Sequence, residues 1–264
     1  MAVGRRTGSF AETSVGRMHY VHRGTGTPLM LLHPLGTSTW TWEAAMDKLS
    51  RSYACYAFDM LGHGRSDKPD RRLSIPDYAD ALAQAQGALG IERADFVGNS
   101  VGGVLAIEMA ASHPELVDRL VLVGCPVVNP REGAQKLEEL ATGFDANWVP
   151  KPKPLDTPSE WTVFAEPKRE WMEAFNQSRA QAGVWVRKLT EALSYYDAMS
   201  RLPLVRARKT LILNGELDSL RDNEELLRGN IRNASLALLP GVAHLPQVED
   251  PDAFVEALAG FLET

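Results

Sequence analysis

Cysteine is scarce in this chain of 264 residues: only Cys55 and Cys125 occur. Each lies in an apolar, strand-like stretch (YACYAF and LVLVGCPVV), and no Cys-x-x-Cys pair is present. A disulfide scaffold is therefore excluded, and buried free thiols in a reducing compartment are expected. Long apolar runs are missing as well. The longest, Leu120 to Val128, is broken by Gly124 and Pro126 and is far too short to cross a bilayer. The opening MAVGRRTGSFAE carries charge with no apolar run behind it, so no secretory signal is read there and a cytoplasmic location is expected. Net charge is −6 and no block of Lys or Arg stands out, which argues against nucleic acid as a partner, and with no bilayer-spanning run a membrane is not expected either. His-Glu-x-x-His and Gly-rich phosphate loops are absent too, so neither a metal nor an organic cofactor is expected. Oligomeric state has no signature here.

What is present is an ordinary core-forming composition, 44% hydrophobic and 23% charged. Short β-branched runs alternate with longer helical patterns, the signature of an α/β fold with a mostly parallel central sheet flanked by helices. Strands are expected at 16–22, 29–33, 53–59, 94–99, 119–124, 210–214 and 235–239. Pro76 in a first turn and Gly90 beyond a last one bound one helix. Residues 101–112 are apolar except for Glu108 and read as a buried helix. The last helix takes Asp250 as its cap, with Phe254, Leu258, Phe261 and Leu262 on one face. Between 126 and 205 the character changes: prolines crowd the first half (VPKPKPLDTP), and helical patterns follow around 159–181 and 184–200. Nine of the chain's 20 aromatics fall in this stretch. It is expected to be a helical cap over the strand ends, with 1–125 and 206–264 forming the core domain.

The strongest chemical signal is Gly98-Asn99-Ser100-Val101-Gly102, followed by Gly103. An apolar strand pattern runs in and an apolar helix pattern runs out. So sharp a turn strains its middle residue, needs glycine on either side for the crossing chain, and pushes the serine hydroxyl out over the sheet. A serine nucleophile needs a base, and the base an orienting acid. Asp218 follows the expected strand TLILN, and His244 follows the strand at 235–239, both at carboxyl ends where sites of open α/β sheets gather. Glu216 is an alternative acid. His33 and His63 lie in loops near the site and are weaker candidates for the base. His19, His22 and His113 read as surface or satisfied residues, and Asp59 as holding its own turn.

The order Ser100, Asp218, His244, together with His33-Pro34-Leu35-Gly36 and Asp59-Met60-Leu61-Gly62-His63-Gly64-Arg65-Ser66, resembles the α/β-hydrolase fold superfamily over nearly the whole chain. The resemblance implies a helical cap inserted after the sixth strand of the family's sheet, and an oxyanion hole built from the backbone N–H groups of Leu35 and Val101. Pro34 stands where relatives usually carry glycine, but its missing N–H is not the donor required. A serine hydrolase acting on a carboxylic ester or similar acyl bond of a bulky apolar or aromatic small molecule is expected. Trp148, Trp161, Trp171 and Trp185 are candidates for the pocket. Haloalkane dehalogenases and epoxide hydrolases resemble the chain but carry aspartate as nucleophile. Carbon–carbon hydrolases of ring-fission diketones share the Gly-Asn-Ser-x-Gly-Gly turn but commonly have tryptophan after the histidine, where this chain has Leu245. Lactone and thioester hydrolysis use the same machinery, and a ligand receptor can retain it.

Overall fold

A computed structural model describes residues 8–130, 133, 135, 137 and 141–263. Eight strands form one sheet: β1 (Ser9–Thr13), β2 (Gly16–Arg23), β3 (Thr27–Leu32), β4 (Tyr53–Phe58), β5 (Ala94–Asn99), β6 (Val117–Val123), β7 (Lys209–Gly215) and β8 (Ala234–Leu239). Their spatial order is β1-β2-β4-β3-β5-β6-β7-β8. The first two pairings are antiparallel and all others parallel. Around it lie α1 (Glu43–Leu49), α2 (Ile75–Ala88), α3 (Val101–Ser112), α4 (Arg169–Ala182), α5 (Val184–Ser194), α6 (Glu224–Asn230) and α7 (Pro251–Leu262).

Alternation along each central strand divides the core in two. Met30 and Leu32 of β3, with Leu120 and Leu122 of β6, face the layer containing α2 and α3. Leu29, Leu31, Val121 and Val123 face the layer of α1 and α7. Because both faces are covered, these strands are apolar throughout rather than alternating polar and apolar. Local chemistry sets the helix ends. Ser74 and Asp77 form a reciprocal capping box at α2, where Pro76 sits in the first turn. At α7 the Asp250 carboxylate accepts from the Ala253 N–H, as the sequence pattern predicts.

Between β6 and β7 the chain leaves the sheet and supplies α4 and α5. The helical pattern expected from 159 starts only at Arg169. Pro167 disfavours helical backbone at the residue before it, and Trp161 and Phe164 fold inward instead. Gly183, at φ +61, breaks α4 from α5. A third cluster, Trp161, Phe164, Met172 and Phe175, closes around Leu245 in the loop after β8. Strand β1 was not expected from the sequence pattern; only Ala11 of its five residues is buried.

Candidate active site

Strand β5 ends at Asn99 and α3 begins at Val101, so Ser100 makes the whole turn, at φ 56 and ψ −121. A left-handed φ at a residue bearing a Cβ is strained and must be held by its surroundings. The Ser100 N–H donates to the Val123 carbonyl at 2.8 Å, and its carbonyl accepts from the Gly103 N–H at 2.9 Å. A side chain at Gly98 would run into the Gly102 backbone, and one at Gly102 into the Leu32 carbonyl. The helix entrance and the strand exit therefore approach as backbone on backbone.

Asp218 follows β7 and is buried; His244 follows β8. The Nδ1 of His244 lies 2.9 Å from Asp218 Oδ2, while Asp218 Oδ1 accepts the Leu220 N–H at 2.9 Å. A carboxylate partner makes Nδ1 the protonated nitrogen and leaves Nε2 able to accept a proton. Ser100 and His244 line one cavity of about 220 Å³, together with Leu35, Val163, Phe175 and Arg179 among others. Asp218 backs it through the histidine. Glu216 lies elsewhere: its carboxylate accepts the Gly241 N–H at 3.0 Å.

The Pro34 carbonyl, adjoining Leu35, accepts from His33 Nδ1 and Thr37 Oγ1, each at 2.8 Å, which fixes the loop. The Val101 N–H is in the first turn of α3, where amides lack intrahelical partners and the helix dipole favours negative charge. His33 and His63 are fully buried, with ring centres 5.6 Å apart. Met60 donates its N–H to His33 Nε2 at 3.0 Å, so both histidine nitrogens of His33 are engaged in structure. Asp59 accepts from His19 Nδ1 and from the N–H groups of Thr39 and Arg65, holding its turn. His22 stacks on Tyr56, and His113 bonds Asp80. Cys55 and Cys125 are free and buried, and burial pushes the Cys55 thiol up to about 12.

The four tryptophans do not line this cavity, which corrects the sequence-based expectation. Trp148 is 41% exposed, with the Arg187 guanidinium over its ring. Trp161 is buried against Phe175 and donates to the Pro154 carbonyl at 2.7 Å. Trp171 packs on Phe164, and Trp185 is buried in the core beside Gly62. Rings gain most by packing on one another out of water, and Phe175 is the aromatic side chain left at the cavity wall.

Several positions carry no local sequence signal. A Cβ on Gly124, at φ +50, would come within 2.5 Å of Asp218 Oδ2 and 2.7 Å of His244 Nδ1. Asn99 donates to the carbonyls of Val123 and His244 at 3.0 and 3.1 Å and accepts from Gln247 at 3.0 Å. Glu249 accepts the Ala243 N–H on one oxygen and the Ala165 N–H on the other. Among the described residues no group of three or more His, Cys, Asp or Glu is placed to hold a metal ion, and no helix is long and apolar enough to cross a membrane.

Residues 29–257 match the model of the alpha/beta hydrolase family. Over 100 residues the chain is 41% identical to an uncharacterised protein of Mycobacterium tuberculosis, a match covering 38% of this chain and 29% of that one. It is 30% identical over 263 residues to a 2-hydroxy-6-oxo-2,4-heptadienoate hydrolase of Pseudomonas putida, covering 90% of each. Among solved structures it is similar to a hydrolase from Pseudomonas aeruginosa, with a TM-score of 0.80, 27% identity and full coverage of both chains.

Proposed function

Since the chain belongs to the alpha/beta hydrolase family, we propose that it is a serine hydrolase cleaving a carboxylic ester through an acyl-enzyme on Ser100. The observation that carries the reading is the 2.9 Å bond from His244 to buried Asp218, made beside a cavity that also holds the strained Ser100. In this mechanism His244 Nε2 takes the Ser100 Oγ proton as the oxygen attacks the carbonyl carbon, and Asp218 stabilises the imidazolium. The N–H groups of Leu35 and Val101 hold the oxyanion. His244 then protonates the leaving alcohol, and water activated by the same nitrogen releases the acid. The nine aromatics of the segment between β6 and β7 no longer argue for a bulky ring substrate. A cavity of about 220 Å³ is below the roughly 300–1,000 Å³ of drug-sized sites and fits a compact acyl group.

Carbon–carbon bond hydrolysis is a second reading, favoured by the similarity to the Pseudomonas putida hydrolase; Leu245 after the histidine speaks against it. A fluorophosphonate probe is expected to label Ser100 alone and to abolish turnover of short acyl esters. Peptide mapping reads the site. Label on another serine, or undiminished turnover in Ser100→Ala, would overturn the nucleophile. Turnover of a vinylogous diketone well above that of any ester would move the assignment to the second reading.

A further inference from the structure

The sheet ends on one side at β8, which pairs with β7 alone. The carbonyls of Asn233 and Leu239 turn to β7 and accept the N–H groups of Thr210 and Glu216 at 3.3 and 2.8 Å. Backbone direction alternates along a strand, so the N–H and C=O groups of Ala234, Leu236 and Leu238 point away from the sheet. Among the described residues no backbone group bonds to them from that side.

An open edge is a template for another strand, and natural sheets blunt it with charge, proline or a bulge. The far edge, β1, is treated in that way: Glu12 lies in it, and the Arg17 guanidinium sits 5.0 Å from the ring of exposed Phe10. In β8 the residues ASLALL carry neither charge nor proline. Leu236 and Leu238 are 38% and 44% exposed. By alternation they share a face with Ala234, which packs on the layer of α2 and α3, while Ala237 and Leu239 face α1 and α7. On the first of these faces α6 packs against β8, burying Leu227 and leaving Leu226 45% exposed. Three leucines beside an unguarded strand form an apolar surface that gains by leaving water.

We propose that β8 pairs with β8 of a second copy of this chain, antiparallel about a two-fold axis at Leu236, to make one continuous sheet. The strand is complementary to itself in this register. Leu236 meets its own counterpart, and Leu238 meets Ala234 of the second copy, whose small side chain leaves room for it. Each of these outward-directed pairs exchanges two N–H···O bonds. Pro240 comes next and has no N–H, so the ladder ends there. The same axis runs α6 antiparallel to its copy. Glu225 and Arg228 form an exposed ion pair one turn apart on α6, so the acid of one helix comes against the base of the other, around Leu226. A strand of unrelated sequence has no reason to match both the order of small and large side chains and the order of charges. The two-fold contact is closed and uses up both β8 edges.

The test is sedimentation of the full chain. Wild-type protein is expected at twice the chain mass at tens of micromolar. Leu236→Lys should be a monomer with an unchanged far-ultraviolet circular dichroism spectrum. Glu225→Arg and Arg228→Glu should each weaken the dimer at least tenfold, and the two together should restore it. Cys55 and Cys125 are buried, so Leu236→Cys adds one accessible thiol. Its counterpart across the axis lies about 5.5 Å away between Cα atoms, within disulfide reach, and mild oxidation should lock the dimer, whereas Phe10→Cys on the β1 edge should stay uncrosslinked. A monomeric wild type gives the edge to some other partner and overturns the proposal. So does a dimer that survives Leu236→Lys, or crosslinking equal at the two edges. If Leu236→Lys does not fold, the charge exchange and the crosslink decide.

Discussion

Gly124 closes β6 with a left-handed φ of +50 and no room for a side chain beside the Asp218–His244 pair. Alanine there meets both objections at once. The left-handed backbone costs a Cβ-bearing residue about 1–2 kcal/mol, and the methyl group would push directly on the hydrogen bond that sets the histidine tautomer. Gly124→Ala is thus expected to lower kcat on the order of 10²-fold while Tm falls by only a few degrees, read by ester kinetics beside thermal melting. An unchanged kcat in a folded variant would show that the pair tolerates displacement. This residue also marks where legibility in the sequence stops. Ser100, with its flanking glycines, announces itself through local spacing, and Asp218 and His244 through their place after strand patterns. Gly124, Asn99 and Glu249 act on partners across folded distance: Asn99 reaches the His244 carbonyl across 145 positions, and no window of sequence contains both ends.

Elements deliver these groups to one rim. The turn after β5 carries Ser100, the loop after β7 carries Asp218 and the loop after β8 carries His244, all at carboxyl ends of parallel strands. Above them, α4 and the segment before it meet the His244 loop at Leu245 and through Glu249, whose two oxygens hold Ala243 and Ala165. Hydrogen bonds to a charged acceptor are worth about 1.5–3 kcal/mol each. Glu249→Ala is expected to lower Tm and to speed amide hydrogen exchange at both Ala243 and Ala165, with slower ester turnover. Faster exchange at Ala165 alone would mean that the histidine loop holds itself. The strands of the central sheet were legible as apolar runs because both their faces are covered, and α7 because Asp250 and Pro251 mark its start. Strand β1 was not, since one buried residue in five leaves no alternation to read. The tryptophans misled for a related reason: aromatic content says that a segment packs, and not which side of each ring meets a cavity.

At the scale of the whole molecule, two neutral imidazoles are sealed inside. Burial, with the field of His33 adding to it, pushes His63 down to about 3, and burial also lowers His33 from 6.5. A group whose folded pKa is depressed favours folding above its unfolded pKa and loses that contribution as pH falls. The window therefore opens near pH 6.5 and runs down toward 3. Wild-type Tm is expected to drop between pH 7 and pH 4, and His63→Gln, though less stable at pH 7, should close much of the gap by pH 4. A gap that stays constant across that range would place the acid sensitivity elsewhere. The path of the chain has a further consequence. The stretch between Val123 and Lys209 departs from one strand and returns on its immediate neighbour, since β6 and β7 are paired in register, Val123 with Leu213 and Arg119 with Lys209. Its two ends are thus anchored in adjacent strands of one sheet, and none of its described residues pairs with that sheet. Yet the stretch is no detachable lid: Trp185 and Leu189 are buried in the core layer of α2 and α3, and Ala165 hangs on the same Glu249 that holds Ala243, so whatever is exchanged there must refill the packing that reaches the histidine loop.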